Sequence, residues 1–138
     1  DGRTGVARRL VRRLGDRVSL QPGLSRRDAL TLLSRAAYGI SPTRRGGWGF
    51  IGDCWAVKTP LVALASDYDL TDRVDALVGG NVDGVVARVQ VLYDHPELAG
   101  RLVTAGHRRY CRSHSAEAVG RRYEAILAGA LAGPAAGP

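Results

Sequence analysis

The sequence has no methionine and a single phenylalanine, and Lys58 is the only lysine among its 20 basic residues. No stretch approaches the roughly 20 consecutive apolar residues that a membrane span needs, and no charged-then-apolar leader opens the chain. The expectation from both absences is a soluble, cytoplasmic protein. Only two cysteines occur, Cys54 and Cys111, far apart and without metal-ligand spacing. That argues against zinc and for free thiols in a reducing compartment rather than a disulfide. No internal repeat and no metal-binding motif is visible.

What is present is 138 residues, 45% of them hydrophobic, with a formal net charge of +7. A chain of this size and composition buries a core and makes one domain, or a piece of a larger one. The positive charge attracts anions without naming one. The arginine pairs at 8–9, 12–13, 26–27, 108–109 and 121–122 are scattered along the chain, which reads as solvated faces rather than a nucleic-acid footprint.

Apolar periodicity divides the chain into alternating elements. Val6, Leu10, Val11 and Leu14 share a helical face, and "RVSL" from Arg17 reads as a short strand. Ser25 with Asp28 gives capping-box spacing for a helix whose buried side is expected to run through Leu32, Leu33, Ala36 and Ala37. "YGISP" is predicted as the next strand, followed by a glycine-rich loop and a helix from about Gly52 to Lys58. "LVALA" is the most buried strand candidate and "DALVG" a further one. Val82, Val85, Val86, Val89 and Leu92 then keep helical spacing, and Pro96 marks the start of another helix. Ser115 opens a last helix with Val119, Tyr123, Ile126 and Leu127 as its expected inner stripe. His95, His107 and His114 are read as surface or capping residues. Residues 1–131 form the predicted domain, and 132–138, "AGPAAGP", a disordered tail.

Alternation of this kind predicts an α/β fold, a Rossmann-like, mostly parallel sheet with helices on both faces. Ligands of such sheets bind beyond the carboxyl ends of the strands, where strand leads into helix. The stretch "SPTRRGGWGF" occupies one of those turns.

"LGDRVSLQPGLSRRDALTLLSRAAYGISPTRRGGWGF", then "TPLVALASD", then "VARVQVLYDHPELAGRLVTAGHRRYCRSHSAEAVGRRYEAIL" together resemble the donor-binding C-terminal domain of GT-B glycosyltransferases of the large family-four type. The resemblance spans almost the whole chain and rests on order and spacing rather than on any one segment. The family's turn normally reads Pro-Ser-x-x-Glu-Gly-Phe-Gly, with a second glutamate on the next helix before a Gly-Thr-Pro. Here Pro42, Thr43, Gly46, Gly47, Trp48 and Gly49 are followed by Asp53, Lys58, Thr59 and Pro60. Glycine at 46 replaces the first glutamate, Lys58 replaces the glycine before Thr-Pro, and the interval to the proline is one residue short.

What the resemblance implies is a donor site for a nucleotide-diphosphate sugar. The diphosphate is expected on Thr43, Arg44, Arg45, Gly46, Gly47, Trp48 and Gly49, where bare amides, a helix N-terminus and guanidinium groups suit phosphate oxygens. Asp53 stands where the family's ribose-binding glutamate does, and an ionised carboxylate suits two vicinal hydroxyls. The family's first glutamate contacts the donor sugar, a contact Gly46 lacks, so an unusual sugar, a replacement contact or lost catalysis is expected. Each feature also has a plainer reading: a turn that needs glycine, an Asp53 that only starts a helix, and Trp48 and Trp55 as packing. No catalytic residue, metal or cofactor is assigned.

The family's domain normally begins with strands that precede "DGRTG", and its acceptor-binding N-terminal domain lies further upstream; both are expected partners of this chain. The acceptor is expected to be a saccharide or a lipid-linked one, with peripheral contact to an anionic membrane surface. The sequence also admits two other readings. One is a catalytically degenerate scaffold of the same fold. The other is a basic nucleic-acid-binding protein, suggested by a faint helix-turn-helix look in "LSRRDALTLLSRAAYGISPTRR" and disfavoured by the buried strand Leu61 to Ala65.

Overall fold

The structure is a computed structural model and describes residues 12, 16, 19, 21, 23–44, 48–65 and 68–131. Most of the first predicted helix, most of "RVSL", the loop residues Arg45, Gly46 and Gly47, and the tail 132–138 lie outside the described residues.

The described chain is a mixed α/β fold. Its elements in order are α1 (Arg26–Ser34), β1 (Gly39–Ser41), α2 (Trp48–Ala56), β2 (Leu61–Leu64), β3 (Leu77–Gly79), α3 (Val82–Asp94), α4 (Pro96–Ser113) and α5 (Ala116–Leu131). The three strands form one parallel sheet in the order β1-β2-β3. Ile40 is paired with Val62, and Ala63 with Val78.

Side-chain alternation along the strands separates two cores. Leu61, Ala63 and Ala76 face α2, where they pack with Ile51, Cys54 and Trp55. Val62 and Leu77 point the other way, to Val85 and Leu92 of α3 and Leu98 and Leu102 of α4. Both sheet faces are therefore covered, which is why β2 reads as an unbroken apolar run.

Two glycines allow the close packing. A Cβ on Gly39 would lie 2.6 Å from Cys54 Sγ, and one on Gly79 would run into the backbone of Gly84 and Val85 at the start of α3. At the end of α2, Thr59 N–H donates to Cys54 O at 2.8 Å and Lys58 N–H to Trp55 O at 3.4 Å, the paired bonds of a Schellman motif. Lys58 holds the left-handed position of that motif with φ 61°.

Four expectations need correction. α2 begins at Trp48, inside the glycine-rich stretch and not near Gly52, so Asp53 sits mid-helix and the helix-start reading of it fails. The stripe expected inside α1 is exposed at Leu32, Ala36 and Ala37, and only Leu33 leans on the core, because the helix ends at Ser34 and meets the rest along one narrow edge of α2. The stripe of α5 is exposed too: Val119, Tyr123, Ile126 and Leu127 face outward, and Ala118 alone is buried, since α5 packs against α4 only at its start. Of the histidines, His95 is the exposed N-cap of α4, but His107 is neither a surface nor a capping residue: it is half-buried in mid-helix and bonded to Trp55.

Candidate functional site

The carboxyl edge of the sheet is framed by the turn after β1 and the turn after β3. Pro42, Thr43 and Arg44 leave β1 into solvent, and Gly80 and Asn81 lead from β3 into α3. Arg44 Nη2 donates to Gly80 O at 2.8 Å, so its guanidinium spans from the first turn to the second over the end of β2.

The two helices that start here differ in electrostatics. Asn81 caps α3 by accepting from Gly84 N–H at 2.8 Å, and Asp83 adds a carboxylate to that first turn. The first turn of α2 holds no acidic residue, and it alone among the described helices lacks one. The positive end of its dipole is left without a negative side chain of its own. Gly49 is exposed there with open space around its Cα.

Trp48 turns inward from the same position. Its N–H donates to the Tyr68 hydroxyl at 3.1 Å, and its indole meets Trp55 edge-on at 5.7 Å, Tyr68 at 5.6 Å and His114 at 4.3 Å between ring centres. Aromatic rings in such edge and tilted contacts contribute beyond their buried area. Burial, followed by the charges of Arg109 and Arg122, holds His114 below its ordinary value of 6.5.

Asp53 lies on the flank of α2. Its Oδ1 accepts from Arg26 Nη2 at 2.7 Å, and the carboxylate borders an apolar hollow of about 370 Å³ between α1, β1 and α2, lined by Leu24, Leu30, Ile40 and Phe50 among others. The neighbouring Cys54 thiol is pushed up to about 12 by burial and by the Asp53 charge. Neither cysteine is in a disulfide.

Of the residues predicted to hold a donor, the structure gathers Thr43, Arg44, Trp48 and Gly49 at one edge, with Trp48 committed to packing and Asp53 to Arg26. Sequence reasoning missed the loop that follows β2. Asp75, almost fully buried, pairs with Arg109 Nη1 at 2.5 Å and accepts from Thr71 N–H at 2.9 Å, while Asp72 pairs with Arg88 at 2.7 Å. Arg109 also lies 5.2 Å above the Trp55 ring. The carboxylates in "DLTDRVDAL" were the available signal, but their partners lie on helices distant in sequence.

Among the described residues no group of three or more His, Cys, Asp or Glu side chains is placed to hold a metal ion. No described helix is long and apolar enough to cross a membrane. Comparison with protein-family models, with curated proteins and with solved structures finds no match for this chain.

Proposed function

We propose that this chain is the donor-binding part of a GT-B-type glycosyltransferase, a Rossmann-like half that holds a nucleotide-diphosphate sugar at the carboxyl edge of its sheet. The observation that carries the reading is Arg44, whose guanidinium reaches across to Gly80 O on the same carboxyl edge at which α2 starts with no acidic residue. A diphosphate oxygen there gains a charge-assisted hydrogen bond and the α2 dipole, the latter about 0.3–1 kcal/mol when exposed. Arg45, Gly46 and Gly47 belong to the same turn in sequence and complete the cradle in this proposal. Such groups stabilise a departing diphosphate electrostatically, without a protein nucleophile. Transfer itself, with retention, needs an acceptor-binding domain closing over this edge, and the acceptor is a saccharide or a lipid-linked one.

Asp53 keeps its proposed role toward the ribose, and its pairing with Arg26 then opens or tilts on binding. Calorimetric titration of the chain with a panel of nucleoside diphosphates and with inorganic pyrophosphate tests both parts. Saturable binding that weakens about tenfold or more in Arg44→Ala supports the diphosphate site. Asp53→Asn weakens the nucleotides and leaves pyrophosphate unchanged if the carboxylate holds the ribose; equal effects on both remove that role.

A second reading is favoured by the commitment of Trp48 N–H to Tyr68 and of Asp53 to Arg26. It is a domain of the same fold that has lost donor binding and serves as a scaffold, and it predicts no heat with any nucleotide at millimolar concentration.

A further inference from the structure

Away from the carboxyl edge, α4 carries a nucleophile and a base one turn apart. Cys111 is exposed, and its Sγ lies 3.6 Å from Nε2 of His107. His107 Nδ1 is 3.0 Å from the carbonyl oxygen of Trp55 at the end of α2. A carbonyl only accepts, so in the neutral ring Nδ1 carries the proton and Nε2 presents its lone pair to the thiol. The ring is further fixed by Tyr110, stacked at 6.5 Å and 17°. Thiol, imidazole and an orienting third group in this order make an activated nucleophile. The imidazole also borders a hollow of about 300 Å³ lined by Lys58, Val103, Thr104, His107 and Arg108. Two cations at its rim favour a reagent bearing carboxylates.

We propose that Cys111 is a site of reversible mixed-disulfide formation with small, carboxylate-bearing disulfides, with His107 as the base. As Sγ attacks one sulfur of the disulfide, the thiol proton passes to His107 Nε2. The S–S bond breaks and its electron pair leaves on the second sulfur, which takes the proton back from Nε2. The protein thiol and the disulfide become a mixed disulfide and a free thiol, the disulfide being the oxidant. Cys54 takes no part: it is fully buried in the core and its thiol is pushed up to about 12. That makes it an internal report of whether the fold is intact.

The test is the rate of thiol release from the dianionic aryl disulfide dithiobis(nitrobenzoate), measured on the chain at neutral pH and again in denaturant. The expected result is one reacting thiol in the native chain, absent in Cys111→Ser. It reacts about tenfold or more faster than a thiol of the denatured chain, and that advantage is lost in His107→Asn while Cys54 stays protected. A native rate no higher than the denatured one overturns the proposal, as does an unchanged rate in a His107→Asn chain whose Cys54 is still protected. Should His107→Asn expose Cys54 as well, the substitution has opened the fold, and the native-to-denatured ratio of the unsubstituted chain decides alone. A neutral dipyridyl disulfide reports on reagent class. The native chain is expected to prefer the dianion more than the denatured chain does, with Arg108→Gln reducing the preference; no such preference overturns the assignment to carboxylate-bearing disulfides.

Discussion

Lys58 holds a left-handed backbone conformation that a side chain makes unfavourable, at the one position of the α2 terminus where the motif calls for glycine. Lys58→Gly is expected to raise stability by about 0.5–1 kcal/mol, seen as a higher urea midpoint with an unchanged slope. Lys58 stood out in the sequence only against the Gly-Thr-Pro of the family the chain resembles, and its backbone consequence was not visible, because a φ angle is set by the helix end and not by the residue name. His114 gives a second test at this scale. Its folded-state value is lowered, so the unfolded chain binds a proton at pH values where the folded chain does not. The stability this confers is full above the ordinary value of 6.5 and is lost as pH falls through it toward the lowered one. Melting temperature should therefore drop between about pH 7.5 and pH 5.5, and His114→Gln should flatten that drop. The capping pair Ser25 and Asp28 was legible because both partners fall within one helical turn; Ser25 Oγ accepts from Asp28 N–H at 3.1 Å and donates to its carboxylate at 2.7 Å. The pairing of Asp75 with Arg109 was not, since nothing local tells a solvated arginine from one laid over Trp55.

At the level of elements, periodicity together with turn and cap signals located α1 to α5 and β1 to β3, with α2 begun too late, but misjudged how two helices are used. Val119, Tyr123, Ile126 and Leu127 have the spacing of a buried face, yet Tyr123, Ile126 and Leu127 are each more than 60% exposed. Spacing shows that a helix has an apolar side and does not say what that side meets. α4 is already spent on two cores, with Leu98 and Leu102 on the α3 side and Gly106 pressed against Trp55, so α5 has little left to pack on. A helix held by so few buried contacts opens locally at low cost. Native-state hydrogen exchange should find α5 amides beyond the first turn opening at about 2–3 kcal/mol less than those of α2 and β2. Protection in α5 equal to that of β2 would mean that its apolar side is covered in solution.

For the molecule as a whole, the order of elements and the parallel pairing were legible because strand and helix periods differ and parallel strands need crossovers. The geometry of the candidate site was legible in part. "SPTRRGGWGF" identified the turn, and Arg44 does reach across the carboxyl edge to Gly80, but a sequence cannot show that Trp48 folds inward or that Asp53 engages Arg26. The net charge of +7 already counts the carboxylates that pair with Arg26, Arg88, Arg109 and Arg121, so it is those four side chains, not the overall positive excess, that are less available to an anion. In the proposed function a diphosphate sits between the β1–α2 turn and the β3–α3 turn. The most direct measurement is amide chemical-shift mapping of the chain during titration with a nucleoside diphosphate. Saturable shifts are expected at Thr43, Arg44, Gly49, Phe50, Gly80 and Asn81, with the intervening loop, and at Asp53 and Arg26 on the ribose side, all of them lost in Arg44→Ala. Shifts centred elsewhere, or none at millimolar ligand, would contradict the proposal.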